Sequence, residues 1–561
     1  MLLGIMGMAL AQDIPSSVIE INNVRGMVLG TGNAYSNILG NDLIWEVPKG
    51  SKMSPLFQYS LWVGGVDANN QLHVAANRYN QDGRDYWMGP LRLDDAGIDD
   101  VTEQQFEHVW NLTRAQIDDF IANHGHQGYI IPLDILTWPA HGPRGYAENL
   151  APFVDVNGDG RYNPEDGDYP AIHGDQCLFF IFNDNYAKHT ESGGASLGME
   201  VQAMVYAFDA PDNDYLNNTV FFHYDMINRS TSEYTGTYVG VWNDWDIGSA
   251  KDDYAGCNVR LGACYGYNGL EEDQVYGKNV PVQLCTILAG PYIDRDGIDN
   301  PAYSGDCEGF HHYYQENFGN DIVDDERFGM SHFMVQSNTN ASAMGDPTSA
   351  EENYLTLRGI WKDGNRVMYG GNGYPGMGGV VGPECDFMFP GDSDPCNFGT
   401  GGVLPNGGYN VDGKYWTEAE CGNPPDDRRG LAAMGPFTYR PGAKQPLDFA
   451  MTTVWKTESE SALERITAAV EDVRRKYEIE SHWGVVEHPF KTENLLKVYP
   501  NPTEGAFTVE GTGCLMVVNA LGQQILTRDV DGQTTLSLPA GLYFIRITNE
   551  KGSSVSKLLV R

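Results

Sequence analysis

Short runs of alternating apolar and polar residues, broken by Gly, Asp and Asn, recur along most of this chain. "SPLFQYSLWVGGVD" (54–67) and "NQLHVAANRY" (70–79) read as strands around Gly/Asp turns. From Gln176 the signal strengthens through "CLFFIFND", "GMEVQAMVYAFD", "NTVFFHYDMINRS" and "GTYVGVWND", whose lengths and spacing predict an antiparallel β-sandwich. "DRRGLAAMGPFTYRPGAKQPLDFAMTTVWK" returns to strands after a Gly/Pro/Asn-rich stretch at 365–425, read as long ordered loops that form a binding surface or a structural cover. Helical spacing is confined to two regions. Thr102 and Gln105 form a capping-box pattern before Phe106, Val109 and Trp110, and Thr113 and Gln116 repeat it before Ile117, Phe120 and Ile121. Two short amphipathic helices, or one interrupted helix, fit that text. In "SALERITAAVEDVRRKYE" the stripe Leu463, Ile466, Val470, Val473 and Tyr477 predicts a helix packed on its own domain. The expected class is mainly β: antiparallel β-sandwich domains with long Gly/Asp-rich loops and a few helices, plus a small C-terminal Ig-like β-sandwich.

At 561 residues the chain exceeds what one core holds. The expected division is a signal peptide at 1–11, an N-terminal β/helical region at 12–175, a main domain at 176–480, a linker at 481–494 and a terminal domain at 495–561. The signal peptide is read from the apolar run Leu2–Ala11, which ends in an A-x-A pattern before Gln12 but lacks a basic n-region; the alternative is an N-terminal strand. No later run reaches the roughly 18 apolar residues of a membrane span. The 66 glycines and 31 tyrosines agree with many turns between short strands. A net charge of −40 disfavours nucleic acid and anionic lipid as partners and attracts divalent cations. Nine cysteines are too few for a disulfide scaffold; Cys257/Cys264 and Cys385/Cys396 are the closest pairs, Cys514 stands far from the rest, and the odd count leaves a free thiol.

Candidate chemistry is concentrated in acidic loops. "DVNGDGRYNPEDGD" (155–168) fills every slot of a calcium loop: Asp155, Asn157, Asp159, Arg161 through its carbonyl, Asn163 directly or through water, and Asp166, with Gly160 at the sharp turn. The last slot carries Asp in place of the longer Glu, as in dockerin-like loops, and a metal-free acidic turn is the alternative. A dockerin needs a second loop copy and flanking helices; Pro164, Gly167 and Pro170 stop a helix and no second copy follows. Two further clusters, Asp244, Asp246, Asp252 and Asp253, and Asp294, Asp296 and Asp299, are read as calcium sites or solvated turns, since dense carboxylates repel unless neutralised. Catalytic signals are thin. Gly194–Gly198 matches G-x-S-x-G but sits in a polar loop before a strand, the wrong context for a nucleophile elbow. His311-His312 lack zinc spacing. Paired carboxylates of a glycosidase meet only in space, and Trp242, Trp245 and Trp361 are read as packing residues rather than sugar platforms.

The end of the chain has its own vocabulary: YPNP at 499–502 with Gly505, NALGQ at 519–523, PAGLYFIR at 539–546, then Lys557 and Arg561. These phrases in this order resemble the type A C-terminal sorting domain of the type IX secretion system of Bacteroidota. The resemblance implies passage through the periplasm, recognition of residues 495–561 by the outer-membrane translocon, their removal, and attachment of the remainder to surface lipopolysaccharide. "SLWVGGVDANNQLHVAANRY", "TWPAHG", "HTESGG" and "DRRGLAAMGPFT" resemble a set of large secreted Bacteroidota proteins with no established activity. The expectation is a secreted, calcium-stabilised structural or adhesive protein of the cell surface, with self-assembly or a glycan ligand as further partners; the rival is an extracellular hydrolase of polysaccharide or protein.

Overall fold

Alternation in the strand Thr219–Asn228 sends Val220, Phe222, Tyr224 and Met226 to one face and Phe221 to the other. In the computed structural model the first face joins the main core and the second a smaller one. The structure describes residues 14–483 and 496–561, apart from 37–42, 80–82, 303–315, 339–341, 381, 395, 401–412, 504, 520–523 and 550–551. The expected signal peptide, His311-His312 and most of the expected linker lie outside the described residues. Two units form, Met1–Val485 and Val486–Arg561.

The first unit is an antiparallel β-sandwich. Its nine-stranded sheet runs Asp253–Asn258, Ala263–Asn268, Val282–Ala289, Lys444–Val454, Thr219–Asn228, Met199–Ala207, Gln176–Asn183 and Trp87–Met88, with Trp110–Thr113 also paired to Gln176–Asn183. Its six-stranded sheet runs His332–Ser337, Arg428–Tyr439, Tyr234–Trp245, Gln58–Asp67 and Ala34–Tyr35, with Leu72–Ala76 on Gln58–Asp67. The inner faces meet through Phe180, Phe182, Phe222, Val239, Val241 and Met434. Phe222 stacks on Phe449 with centroids 4.4 Å apart. Burying each such side chain contributes about 1.5–3 kcal/mol, which is the main force holding the sheets together. Outer faces are covered locally: Ile466, Ala469 and Val470 of the helix Ile466–Trp483 pack on Val282 and Leu284.

Three sequence expectations change. The boundary at 175/176 falls inside the nine-stranded sheet, because Trp110–Thr113 and Trp87–Met88 hydrogen-bond to Gln176–Asn183; 12–175 and 176–480 share one unit. The first helix, Asp100–Phe106, is capped by Asp99, whose side chain accepts from Thr102 N–H, so Thr102 is not the cap; Trp110 begins a strand. The Thr113/Gln116 capping box does form, on the helix Arg114–Asn123. The predicted C-terminal stripe buries Ile466, Val470, Val473 and Tyr477, while Leu463 precedes the helix and is exposed. Trp242, Trp245 and Trp361 are core residues. Cys257 and Cys264 face each other across neighbouring strands as free thiols, and Cys385 is free while Cys396 is disulfide-bonded. The stretch 365–425 contributes Tyr369, Phe387, Phe389 and Trp416 to the main core, so its described part acts as a cover.

The second unit is one five-stranded antiparallel sheet around Phe507, Val509, Leu515, Val517, Ile545 and Ile547. The long strand Ala506–Asn519 pairs along one edge first with Lys497–Tyr499 and then with Gly541–Asn549, while Gln524–Ser537 takes the other edge. Gly552–Val560 completes the sheet.

Candidate functional site

The acidic loop 155–168 folds its carboxylates on to its own amides. Asp155 accepts from Gly158 N–H through Oδ1 and from Gly160 N–H through Oδ2, both at 2.7 Å. Asn157 Oδ1 accepts from Asp159 N–H (2.9 Å), and Asp159 Oδ1 from Arg161 N–H (2.8 Å). Asn163 donates through Nδ2 to Asp166 Oδ2 at 2.6 Å. Gly158 and Gly160 sit at φ of +76° and +77°, left-handed backbone that suits glycine. Beneath the loop lies Asp168, fully buried, accepting from Val156 N–H (2.8 Å) and Asn163 N–H (2.9 Å). Burial pushes its carboxyl above the usual range, and Asp155 and Asp159 add to the push. Sequence reasoning did not single out Asp168.

The second acidic cluster divides. Asp253 turns inward and accepts from Ile247 N–H at 2.9 Å, and Asp252 is also buried; both shape the 246–253 turn. Asp244 and Asp246 instead share the outer face of the six-stranded sheet with residues far along the chain. The register places Asp244 opposite Arg429, and the same spacing brings Asp246 beside Asp427. Oxygens of Asp244, Asp246 and Asp427 lie within 4.8 Å of one another. Arg429 stands 2.8 Å from Asp427 and 3.4 Å from Asp244, and Asp346 lies 3.7 Å from Arg429. Tyr79 donates its hydroxyl to Asp244 Oδ2, and Asn338 Nδ2 donates to Asp427 Oδ2 at 2.6 Å. Burial drives the Asp244 carboxyl well above the usual range against the pull of Arg429, and drives Asp246 up to about 7, with Asp427 adding to it. Burial works to lower the Arg429 pKa, but Asp244, Tyr79, Asp346 and Asp427 raise it. Asp427, Asp346, Arg429 and Tyr79 were not predicted. The available signal was strand spacing in Asp244-x-Asp246 and Asp427-x-Arg429, but the pairing of those strands is a tertiary fact.

The third cluster does not gather. Asp294 accepts from Thr438 N–H (2.9 Å) and Thr438 Oγ1 (2.6 Å), Asp296 from Ile298 N–H (2.9 Å), and Asp299 from Gly319 and Asp321 N–H (2.9 and 2.7 Å). Ser196 of the G-x-S-x-G match donates to Asn185 Oδ1. The nearby His73 meets the Ser196 carbonyl through Nδ1 and not its hydroxyl.

A groove of about 740 Å³ opens beside the acidic loop, lined by Phe179, Gln202, Met204, His223, Asp225 and Lys444 and reaching Gly160. Its polar floor is an ion-pair chain. His223 Nδ1 lies 2.7 Å from Asp448 Oδ1 and Nε2 3.7 Å from Asp225; Arg327 lies 2.8 Å from Asp448 and Lys444 2.9 Å from Asp225. Burial works to lower the His223 pKa, but Asp448 and Asp225 push it up to about 10. A histidine held protonated between two carboxylates is no general base near neutral pH.

Among the described residues no helix is long and apolar enough to cross a membrane. No curated protein matches this sequence. A solved polysaccharide lyase aligns at 7% identity and a TM-score of 0.17, over 74% of this chain and 37% of its own, a likeness too slight to transfer fold or activity. Residues 497–561 match the family described as the secretion system C-terminal sorting domain. The chain is therefore a type IX secretion substrate, recognised by that machinery through its C-terminal unit and exported to the cell surface or the extracellular space.

Proposed function

We propose that the exported β-sandwich is a calcium-stabilised structural or adhesive protein. The observation that carries this reading is the loop 155–168, where acidic side chains converge on left-handed glycines above a buried Asp168. Such packed negative charge is relieved by an oxygen-coordinated cation. Calcium then ties down a loop that little apolar burial secures, and it does so where calcium is plentiful, outside the cell. The groove favours holding a ligand over cleaving one, since His223, Asp225 and Lys444 in its lining are locked in ion pairs. A glycan or a second copy of the chain suits such a surface, and attachment to lipopolysaccharide follows from the resemblance of the tail.

The test is a thermal melt of the purified secreted protein in calcium and in chelator. Saturation at about 100 times the dissociation constant adds about 2.7 kcal/mol, a rise in Tm of several degrees. An unchanged Tm overturns the calcium reading. Incubation with extracellular polysaccharides separates the functional readings: retention without new reducing ends supports adhesion, and their release supports hydrolysis.

A further inference from the structure

We propose that Asp244, Asp246 and Asp427 form a second divalent-cation site, which clamps the end of the strand Tyr234–Trp245 to the start of Arg428–Tyr439. This rests on the reading above that cations stabilise the exported unit, and it assigns an ion to a place where no local loop motif exists.

The geometry supports a ligand in three ways. Two oxygens across a calcium ion at about 2.4 Å each are about 4.8 Å apart, and the three carboxylates fall within 4.8 Å of one another. Asp244, with its side chain only 2% exposed, has one committed oxygen and one free. Oδ2 meets Tyr79 and Arg429, whereas buried Oδ1 accepts no hydrogen bond. A buried carboxylate oxygen without a donor is costly unless a cation faces it. The charge count points the same way. Asp244, Asp246, Asp346 and Asp427 are met by Arg429 and by Arg78, 3.8 Å from Asp346. Lys251, 3.4 Å from Asp427, lies mostly in solvent, and Lys362 is 3.5 Å from Glu352. Lys362 also donates Nζ to the Asp346 carbonyl, and Arg78 is shared with Glu191, so Asp244, Asp246, Asp346, Asp427, Glu191 and Glu352 face Arg78, Arg429, Lys251 and Lys362, six carboxylates against four cations.

The donor set selects the ion. Three carboxylates with no His or Cys suit calcium, magnesium or manganese rather than zinc or copper. Arg429 remains as a second-sphere counter-charge that prevents the carboxylates from repelling one another before the ion arrives. Asp252 and Asp253 stay outside the group because Asp252 bonds to Ser249 and Asp253 accepts from Ile247 N–H, both within the 246–253 turn.

Native mass spectrometry of the full secreted protein, stripped with chelator and reloaded with Ca²⁺ alone or Mn²⁺ alone, counts the ions. The comparison includes Asp246→Asn, Asp427→Asn and the loop double variant Asp155→Asn with Asp159→Asn. The expected result is two ions in the natural protein and one in each variant, with at least tenfold weaker binding at the altered site. Asp246 is only partly buried and forms no ion pair with Arg429, so D246N keeps the test open if D427N fails to fold, which circular dichroism reports. One ion that only the loop variant loses overturns this inference and leaves the loop reading intact. One ion that only D246N loses supports it and overturns the loop reading. An equal count in all folded variants overturns it.

Discussion

The loop 155–168 and the Asp244–Asp246–Asp427 cluster have similar composition and opposite construction. The loop lies near the surface, satisfies Asp155, Asn157 and Asp159 from within a few residues, and turns on three glycines with positive φ, Gly158, Gly160 and Gly167. The cluster is buried, draws partners from four distant segments, and is balanced by one guanidinium aimed at two of its carboxylates. Acidity alone therefore says little about a site. Solvation and the distance in sequence between partners decide whether a carboxylate is cheap to keep charged. In the loop, water shares the charge with the calcium proposed there; in the cluster, water is largely excluded and buried guanidiniums, a proton or a cation must answer it.

The contrast is broken most directly by Arg429→Met. Removing the guanidinium leaves buried carboxylates uncompensated, and the expected loss is about 3–5 kcal/mol in urea unfolding; a loss below 1 kcal/mol would place the cluster in the same solvated class as the loop. Asp448→Asn tests another long-range charge set by stranding Arg327 and His223. A fall about as large is expected, read as a lower urea midpoint at unchanged slope.

The same network gives a pH signature. His223, with its folded pKa raised to about 10, contributes stability that is whole below its unfolded value near 6.5 and is lost as pH rises through 10. Asp448 is lowered because His223 and Arg327 overcome its burial, so its contribution is present above the unfolded value and lost in strong acid. Stability should therefore decline from about pH 6.5 to 10, and His223→Gln should flatten that decline; a slope identical in the variant would assign it to other groups.

Smaller effects belong to the loop. Asp168→Asn keeps the shape but loses one of the two acceptors that Val156 N–H and Asn163 N–H use, because the amide nitrogen cannot accept, for about 1–3 kcal/mol. Gly160→Ala should cost least. Open space surrounds the added methyl, so only the left-handed backbone penalty of about 1–2 kcal/mol applies, and chemical denaturation should resolve it from Asp168→Asn.

Legibility followed the range of the interactions. The lengths, spacing and apolar character of short runs identified the strands from Gln176 onward, because strand and turn signals are local. The Thr113/Gln116 cap was readable for the same reason, and the acidic side chains and glycines of the loop 155–168 share one short stretch. The Thr102 cap failed because Asp99, one helical turn earlier, offers its carboxylate to the Thr102 amide. The domain boundary at 175 failed because hydrogen bonds from Trp110–Thr113 cross it.

By itself the sequence determined the mainly β character, the address in the last 65 residues, and the shape of one acidic loop. Each depends on neighbours a few positions apart. Only the tertiary structure decided that Asp246 stands beside Asp427, that Arg429 answers Asp244, and that Asp252 and Asp253 belong to a turn instead. Strand register is set by the burial of whole sheet faces, so contacts across nearly two hundred residues are invisible in any short stretch of text.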